Sequence, residues 1–333
     1  FESDKENLFG GTKAEGGIKG QFDLMMGGPS QTMSGGLRSM LSGPQPQFRG
    51  VVTAFFDGMV CAMSPYPKSW AFRLRRIKAG WDGAVWYPEK AEILMTGYTT
   101  NGQQRVIHAM NPAHIIYEAL TNRSWGLGRD RSLFLDTDWR KAADALFDEN
   151  FGLCLRWSRQ DTLMSFIQTV IDHIGGVVYV DKFTGKYKLK LIREDYNPDG
   201  LPVLDTDSGL LSIDEATNAS SYNLMNEIIV NWHSPISNKD AQAREHNLAL
   251  IQTQGALASD TRDYPGIPTA KLALQIAKRD LKSASTNVRR FSLTCDRRAW
   301  RVQPGDVLKI QDPQSRGIGT VVVRVGTVEE AGQ

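Results

Sequence analysis

The sequence predicts a β-rich α+β protein of several domains, in which two β-barrel-like domains flank an α+β domain. Short segments with alternating apolar residues lie towards both ends of the chain, whereas apolar residues at helical spacing dominate its centre. A length of 333 residues suits two or three domains that each bury a core. We place the predicted domains at 1–105, 106–200 and 201–333.

The first predicted domain combines a glycine-dense region with short strands. The glycines between residues 10 and 43 indicate loops and a hairpin, with one short strand at 21–26. Further strands are predicted at 50–56 and at 70–77, where apolar residues alternate with other types. This region is therefore expected to be rich in β-structure.

Helices dominate the second predicted domain. Asn111 is suited to cap a helix that begins at Pro112, because its side chain can accept a hydrogen bond from the first turn and proline fits the first helical position. The later elements of this domain are predicted to be helices at 139–147 and 163–174, then hairpin strands at 177–180 and 187–192. Helices beside a small sheet make an α+β domain.

The third predicted domain returns to β-structure around one helix. Pro304-Gly305 predicts a type II turn that leads into a strand, since glycine tolerates the positive φ which such a turn needs. Strands are predicted at 227–232, 291–295, 307–310 and 319–325. The helix begins near Pro268, and its predicted buried side carries Ala270, Leu274, Ala277 and Leu281.

Composition and charge narrow the classes of function. The chain is 41% hydrophobic and 23% charged, as is usual for a globular protein, and no window approaches the ~18 apolar residues of a membrane span. A formal net charge of +2 predicts no strong general attraction to nucleic acid or to a membrane surface. The three cysteines are widely spaced, which suggests no disulfide framework and favours assembly in a reducing cytoplasm.

The two termini favour a longer parent chain. Residues 1–5 lack both an initiator methionine and the order of a secretion signal. The apolar segment 320–325 resembles a strand that is cut close to its end. We therefore expect truncation on both sides.

No motif in the sequence specifies catalysis, a cofactor or a metal. The glycines near residues 10 and 126 lack the spacing of a phosphate-binding loop, and the five histidines do not converge at metal-ligand spacing. Cys154 and His173 could form a nucleophilic pair, but the apolar run around Cys154 favours a buried structural thiol. We predict no catalytic, cofactor-binding or metal-binding residues.

A cell-wall hydrolase is the enzymatic alternative. Glycoside cleavage needs two carboxylates roughly 5–10 Å apart, and some pair among 37 acidic residues will always satisfy that condition. Trp81, Trp86, Tyr87 and Trp125 could form a platform on which sugars stack, although core or interface packing is the commoner use of such residues. The residues leave this alternative open.

Several short motifs stand in a specific order along the chain. They include Glu6–Gly11, Trp86–Lys90, Asn111–Asn122, Tyr179–Asp181, Asn226-Glu227, Asp263–Gly266 and Pro304–Val307. In this order they resemble the central tail hub or tail tip attachment proteins of long-tailed, siphophage-like bacteriophages. A type VI secretion spike hub is a structural variant of the same interpretation.

The resemblance implies a structural role in the virion, without catalysis. Such hubs are trimers whose barrel domains form a pseudo-hexameric ring at the distal end of the tail, where they adapt the six-fold tube to a three-fold tip and enclose the DNA channel. The implied partners are a distal tail protein, a tape measure protein, tip or fibre proteins, phage DNA that passes without sequence-specific binding, and indirectly the host envelope. Assembly is expected in the host cytoplasm.

Strands are expected to form the contacts between hub subunits. An unpaired strand edge promotes aggregation of a monomer, whereas in a ring it can pair with the neighbouring subunit. The predicted interface and scaffold residues are Phe55, Phe72, Ile229 and Leu308.

Overall fold

The computed structural model forms two compact units, Phe1–Val85 and Trp86–Gln333. It describes residues 2–3, 9–64, 70, 72, 85–123, 125–157, 161–194, 196–218, 224–286, 289–312 and 318–329. Most of the strand predicted at 70–77 lies outside the described residues. The predicted division into three domains stays a prediction.

The first unit is built on an antiparallel sheet with the strand order β1-β2-β3. Its strands are β1 (Glu2–Ser3), β2 (Ile18–Met25) and β3 (Thr53–Val60). β2 contains most of the strand predicted at 21–26, and β3 begins three residues after the predicted start at 50. A short helix, α1 (Gly35–Met40), begins at Ser34, whose hydroxyl accepts a hydrogen bond from the Leu37 N–H.

An aromatic cluster covers one face of this sheet. It consists of Phe22, Phe56, Trp70 and Phe72, whose contacting ring centroids are 5.4–6.4 Å apart. Phe22 lies opposite Phe56 in the β2–β3 register, and two glycines, Gly20 and Gly58, form the next pair on that face. A Cβ atom added at either glycine would lie within 3 Å of the Phe56 ring. The glycine pair therefore makes the space that this ring fills.

The second unit begins with two hairpins and three helices. The hairpins are β4 (Glu92–Tyr98) with β5 (Gln104–Met110) and β6 (Gly176–Val180) with β7 (Tyr187–Leu191), and the helices are α2 (Pro112–Thr121), α3 (Asp136–Asp148) and α4 (Leu163–Ile174). The start of α2 at Pro112 behind an Asn111 cap confirms the prediction. The end of α4 is also confirmed, because Gly175 adopts a left-handed conformation with φ 61°.

A mixed sheet with the strand order β11-β10-β12 follows. Its strands are β10 (Glu227–Ser234), β11 (Lys239–His246) and β12 (Ser259–Asp263), and α5 (Leu248–Gln254) connects β11 to β12. β10 pairs antiparallel with β11 and parallel with β12. Its residues Ile228 and Val230 are fully buried, and α6 (Ala270–Ala284) packs against β10 and β11.

The buried stripe of α6 differs in part from the prediction. Ala277 and Leu281 are buried as expected, whereas Ala270 is exposed and Leu274 is 40% exposed. α6 also buries the large apolar residues Leu272 and Ile276. The buried face of the helix is therefore rotated relative to the predicted one. The Thr269 hydroxyl accepts from the Leu272 N–H and so fixes where the helix begins.

Two small sheets complete the second unit. Their strands are β8 (Val203–Leu204), β9 (Leu210–Asn218), β13 (Arg289–Cys295), β14 (Val307–Asp312) and β15 (Ile318–Arg324). β13 pairs with β9, and β14 lies between β15 and β8. A small core forms here, separate from the large core of the helices and the mixed sheet; it contains Leu204, Leu210, Ile213, Leu308 and Ile310.

The described residues thus form a mixed α+β fold that is rich in small sheets, which confirms the predicted class in general. Each sheet has two or three strands, and none closes into a barrel within the described ranges. The two barrel-like domains stay a prediction. Over the same ranges, no helix combines the length and the apolar character that crossing a membrane demands.

Candidate functional site

The motifs Trp86–Lys90 and Asn111–Asn122 meet in what we call the first joint. Asn111 is fully buried, and its Oδ1 accepts a hydrogen bond from the Ala113 N–H at 3.1 Å. Its Nδ2 donates to the carbonyl oxygens of Lys90 (3.1 Å) and Ala143 (2.8 Å). One side chain thereby caps α2 and attaches it both to the segment before β4 and to α3.

Trp86 and Tyr87 serve the same joint. The Trp86 ring stacks on Tyr117 of α2 with centroids 4.4 Å apart, and its Nε1–H donates to Asp136 Oδ1 at 2.7 Å. The Tyr87 hydroxyl donates to Asp144 Oδ1 at 2.8 Å. These two rings therefore hold α2 and α3 together. The structure uses them for packing, and Trp81 of the proposed sugar platform lies outside the described residues.

His114 lies inside the first joint, where it is 2% exposed. Its Nε2 hydrogen bonds with the Tyr87 carbonyl oxygen at 2.8 Å, so this nitrogen carries the proton. Its Nδ1 is buried and has no hydrogen-bond partner among the described residues. Burial lowers the pKa of His114 to about 4, although the hydrogen bond to Tyr87 opposes part of that shift. The ring is therefore neutral at pH 7.

We expect His114 to make the protein less stable in mild acid. Its folded pKa of about 4 lies below the unfolded value of 6.5, so the unfolded chain binds the proton more readily between these pH values. Stability is complete above pH 6.5 and falls as the pH drops towards 4, by about 3 kcal/mol in total. Urea denaturation at several pH values measures this loss.

The variant His114→Gln isolates that effect. Its amide can still donate to the Tyr87 carbonyl but does not titrate, so its loss of stability between pH 6.5 and 4 should be smaller than that of the wild type. His233→Gln is the matched control, because His233 is partly exposed and its pKa is raised by Asp240. Equal pH profiles for the wild type and His114→Gln would contradict the assignment.

A second joint surrounds the motif Asp263–Gly266. Tyr264 and Asp280 are both buried, and the tyrosine hydroxyl donates to Asp280 Oδ2 at 2.6 Å. Arg262 reaches the same oxygen at 3.0 Å, and Arg279 Nε donates to Asp280 Oδ1 at 2.8 Å. Burial and then Asp280 raise the pKa of Tyr264 to about 12, which keeps the hydroxyl a donor. One carboxylate thus connects β12 to α6.

His173 and Cys154 belong to this second joint. Both ring nitrogens of His173 are used, because Nδ1 donates to the Thr169 carbonyl at 2.6 Å and Nε2 accepts from the Gly266 N–H at 3.3 Å. The Cys154 N–H donates to the Gly266 carbonyl at 2.8 Å, and burial raises the pKa of its thiol to about 11. A neutral thiol and an occupied imidazole favour the structural interpretation over a nucleophilic pair.

The third joint connects the β6–β7 hairpin with the turn before β14. Gln303 Nε2 donates to the buried Asp181 Oδ1 at 2.5 Å, and Lys190 Nζ donates to Asp306 Oδ1 at 2.6 Å. Burial alone would raise the pKa of Asp181, but hydrogen bonds from Thr184 and Gln303 outweigh it and lower that pKa to about 2. The motifs around Tyr179 and Pro304 are therefore two halves of one contact.

The predicted interface residues occupy different environments. Phe55 faces α1, since a Cβ atom at Gly36 would lie 2.8 Å from its ring, whereas Phe72 is 54% exposed on the aromatic cluster. In the second unit, Ile229 is half-buried in the central strand β10, and Leu308 is 4% exposed in the small core. The structure does not bring either pair together on one face. Their role between subunits stays a prediction.

A surface that the sequence analysis missed is the outer face of the β4–β5 hairpin. Its inner residues, such as Ile93 and Ile107, are buried, yet Leu94, Tyr98 and Val106 on the opposite face are 60–63% exposed. We call these three residues the outer apolar face. Strands that are apolar on both faces are typical of sheets covered on both sides. The unbroken apolar run Ile93-Leu94-Met95 is the signal that could have revealed it.

The described residues contain no group of three or more His, Cys, Asp or Glu side chains that could hold a metal ion. His108 lies beside Glu92 on the β4–β5 hairpin, and His114 is buried in the first joint. The motifs therefore form hydrogen-bonded joints between the elements of the second unit.

Residues 165–328 match the Phage-tail_3 family, whose description is "Putative phage tail protein". Among solved structures, the chain is similar to the 43 kDa tail protein of prophage MuSo2 from Shewanella oneidensis, with 10% identity, a TM-score of 0.31 and 47% of each chain covered. It is also similar to the prophage tail protein gp18 from Listeria monocytogenes EGD-e, with 12% identity, a TM-score of 0.29 and 70% of each chain covered. The chain thus spans about half the length of the first of these. No curated protein matches it.

Proposed function

We propose that this chain, whose residues 165–328 match a family described as putative phage tail proteins, is the central hub of a long phage tail. In this role three copies form a ring at the distal end of the tail, end the tail tube and enclose the DNA channel. The ring adapts the six-fold tube to a three-fold tip. The role needs no catalysis.

The observation that carries the proposal is the outer apolar face of the β4–β5 hairpin. Leu94, Tyr98 and Val106 are each more than half exposed on a two-stranded sheet whose inner face is already buried. Val106 lies diagonally next to both Leu94 and Tyr98 in the β4–β5 register, and Thr96, Gln104 and His108 share the face with them. Exposed apolar side chains grouped in this way mark contact with another protein. We assign this face to a second copy of the chain.

The sheets support the same assignment. Sheets of two or three strands cannot close into a barrel by themselves, and a ring of three copies offers the strands that would extend them. The barrel-like hub domains are thus proposed as products of assembly. In the virion, the neighbours would be a distal tail protein, a tape measure protein and tip or fibre proteins. The DNA would pass without sequence-specific contacts, and the host envelope would be met indirectly after assembly in the cytoplasm.

Light scattering across a concentration range tests both parts of this proposal. The wild-type chain should reach three times its own mass of 37.0 kDa. The double variant Leu94→Lys and Val106→Lys should weaken association at least about 100-fold, because each apolar side chain contributes about 1.5–3 kcal/mol when buried. Far-UV circular dichroism should be unchanged, since both side chains are already exposed.

The matched control is the double variant Met164→Lys and Leu248→Lys. These side chains are 58% and 71% exposed on the helices α4 and α5, and neither belongs to the outer apolar face. The control should associate like the wild type. A wild-type chain that stays a monomer at every concentration would overturn the trimer. If the double lysine variant of the hairpin still forms trimers, only the assignment of the outer apolar face to the contact between copies is refuted.

A further inference from the structure

A cleft of about 750 Å³ lies in the second unit, where residues of α3 and β7 and residues of the β15-β14-β8 sheet line it. We call it the α3 cleft. Its volume falls within the roughly 300–1,000 Å³ that is usual for small-molecule sites. The third joint borders the cleft, because Lys190, Gln303 and Asp306 belong to both. No residue of the outer apolar face lines it.

One wall of the α3 cleft is formed by α3 and β7, which pack side by side. Lys188 Nζ lies 3.4 Å from Asp138 Oδ2 near the start of both elements, and Arg193 Nε donates to Glu149 Oε1 at 2.6 Å just beyond their ends. These ion pairs are about 16 Å apart along either element, at a rise of about 1.5 Å per helical residue and about 3.3 Å per strand residue. Lys141 follows Asp138 by one turn on the lining face of α3, so it stands between the two pairs.

Lys141 is exposed, and it has no ion-pair partner in the parts of the chain that the structure describes. The neighbouring Lys190 is occupied, since its Nζ donates to Asp306 Oδ1 at 2.6 Å. The second oxygen of Asp306 accepts from the Gln303 N–H at 2.9 Å. Both oxygens of this carboxylate are thus in use, and the ammonium of Lys141 stays available to a ligand.

The guanidinium of Arg324 is fixed at the end of the cleft that Arg193 marks. Its Nη1 donates to the Gly305 carbonyl oxygen at 3.3 Å, and its Nη2 donates to the Arg193 carbonyl oxygen at 2.6 Å. It also lies over the Tyr196 ring, 5.9 Å from the centroid. All four residues line the cleft. A guanidinium has five N–H groups and these hydrogen bonds use two, so three remain for a ligand.

The charges around the cleft favour an anion. Three cations of its lining have no carboxylate partner in the described ranges, namely Lys141, Arg301 and Arg324. The acids of the lining, Asp138 and Asp306, are each bound by a lysine. Glu194, whose charge acts on Arg324 from outside the lining, is bound by Lys282 Nζ at 2.6 Å. Asp195 lies outside the described residues, and one further carboxylate there would be outnumbered by the three cations.

The anion that suits these groups is a phosphate monoester. Its charge is about −1.5 to −2 at pH 7, and its three oxygens accept hydrogen bonds, so that one group can meet a guanidinium and an ammonium together. A carboxylate carries less charge and fewer acceptor oxygens. Beside the cations, Leu201, Pro202 and Val203 give the cleft an apolar surface, and Val203 is 41% exposed. That surface suits the carbon skeleton of an organic ester.

We propose that the α3 cleft binds a small organic phosphate monoester, whose phosphate group meets Lys141 and the remaining N–H groups of Arg324 and whose carbon skeleton lies against Pro202 and Val203. The cleft binds the ester and leaves it unchanged. Because Lys141 belongs to α3 and Arg324 to β15, the ester connects the helices of the second unit to its small sheets and stabilises their contact. The inference goes beyond the hub, since every residue that carries it lies within a single chain.

Titration calorimetry at pH 7 tests the proposal with defined probes. The monoesters are glycerol 3-phosphate and adenosine 5′-monophosphate, and their comparisons are glycerol, adenosine, choline as a cation, and a thymidine tetranucleotide without terminal phosphate as a diester. At least one monoester should bind saturably with a Kd below about 5 mM and raise the melting temperature. Its binding should weaken at least about fivefold between about 20 and 300 mM NaCl, because the cleft is open to screening ions. A mass measurement in the same buffer records the oligomeric state, so that failure of the trimer is seen separately.

Three variants test the two cations. Lys141→Gln should weaken binding of the monoester about fivefold, and Lys141→Glu at least about twentyfold, because the second change repels the phosphate. Arg324→Lys keeps the charge but lacks the planar fork of donors, so it should weaken binding about fivefold. Lys278→Gln is the matched control, because Lys278 is exposed on α6 and does not line the cleft. It should change binding less than about twofold.

The proposal is supported by saturable binding of a monoester that both Lys141 variants weaken and Lys278→Gln preserves. It is overturned if neither monoester binds, or if glycerol, adenosine or choline binds as tightly as the monoesters. Tighter binding of the tetranucleotide than of both monoesters would overturn the assignment to a small monoester. Equal losses for Lys141→Gln and Lys278→Gln would place binding outside the cleft and overturn it as well. The Lys141 variants do not depend on the contacts that Arg324 makes within the fold.

Discussion

Replacing Asp280 with alanine is expected to lower the free energy of unfolding by about 3–5 kcal/mol. This carboxylate is 5% exposed and holds Tyr264, Arg262 and Arg279 through contacts of 2.6–3.0 Å. The variant would leave the Arg279 guanidinium and the Tyr264 hydroxyl without their anionic partner, whereas Arg262 would keep only its contact with Asp260. Breaking a buried ion pair is costly for that reason, even where the intact pair contributes little. Urea denaturation at pH 7 measures the loss.

The exposed pair between Glu194 and Lys282 provides the matched control, because it also ends on α6. Its two side chains are 72% and 67% exposed, and an exposed pair typically contributes about 0–1 kcal/mol. Glu194→Ala should therefore change stability by less than about 1 kcal/mol. The loss of stability for Asp280→Asn should lie between those for Asp280→Ala and Glu194→Ala, because the amide keeps the shape of the side chain and one acceptor oxygen. Equal losses for Asp280→Ala and Glu194→Ala would contradict the role of the second joint.

Replacing Asn111 with alanine should cost a similar amount, about 3–5 kcal/mol. The loss of the cap on α2 accounts for about 1 kcal/mol of this. The rest comes from the Lys90 and Ala143 carbonyl oxygens, which lose their donor in a buried place where water does not replace it. Chemical denaturation followed by tryptophan fluorescence is the measurement.

Two companion variants separate the contributions. Asn111→Ser keeps an acceptor for the cap but lacks the two donated hydrogen bonds, so most of the loss should remain. Asn247→Ala is the matched control, because Asn247 also caps a helix but does so on the surface helix α5. It should lose only about 1 kcal/mol. If Asn111→Ala also lost only this amount, the hydrogen bonds donated to Lys90 and Ala143 would contribute little to stability.

Local signals explain which elements could be predicted. The start of α2 follows from an asparagine and a proline that act within one turn, and the end of α4 follows from one glycine. By contrast, β12 consists of Ser-Asp-Thr-Arg-Asp and has no apolar residue to report its strand. Its conformation is set by parallel pairing with β10, which lies more than twenty residues earlier. The polar strand β11 likewise has no large apolar residue to indicate a strand, and its conformation is set by antiparallel pairing with β10.

The joints could be predicted only in part. The motifs were visible in the sequence, but nothing in their spacing indicates that Tyr264 meets Asp280 or that Asp181 meets Gln303. Contacts between distant segments are set by tertiary packing, on which local patterns carry little information.

The third joint also affects the order in which the chain acquires its structure during translation. Gln303 follows Asp181 by 122 residues, and a ribosome that adds about 5–20 residues per second needs roughly 6–24 s to cover that distance. Until then both strands of the β6–β7 hairpin are present, but Asp181 lacks the hydrogen bond that the Gln303 side-chain amide donates. Closure of the second unit is therefore a late event, and for those seconds the nascent chain presents an incomplete surface to chaperones and to neighbouring copies on the same message.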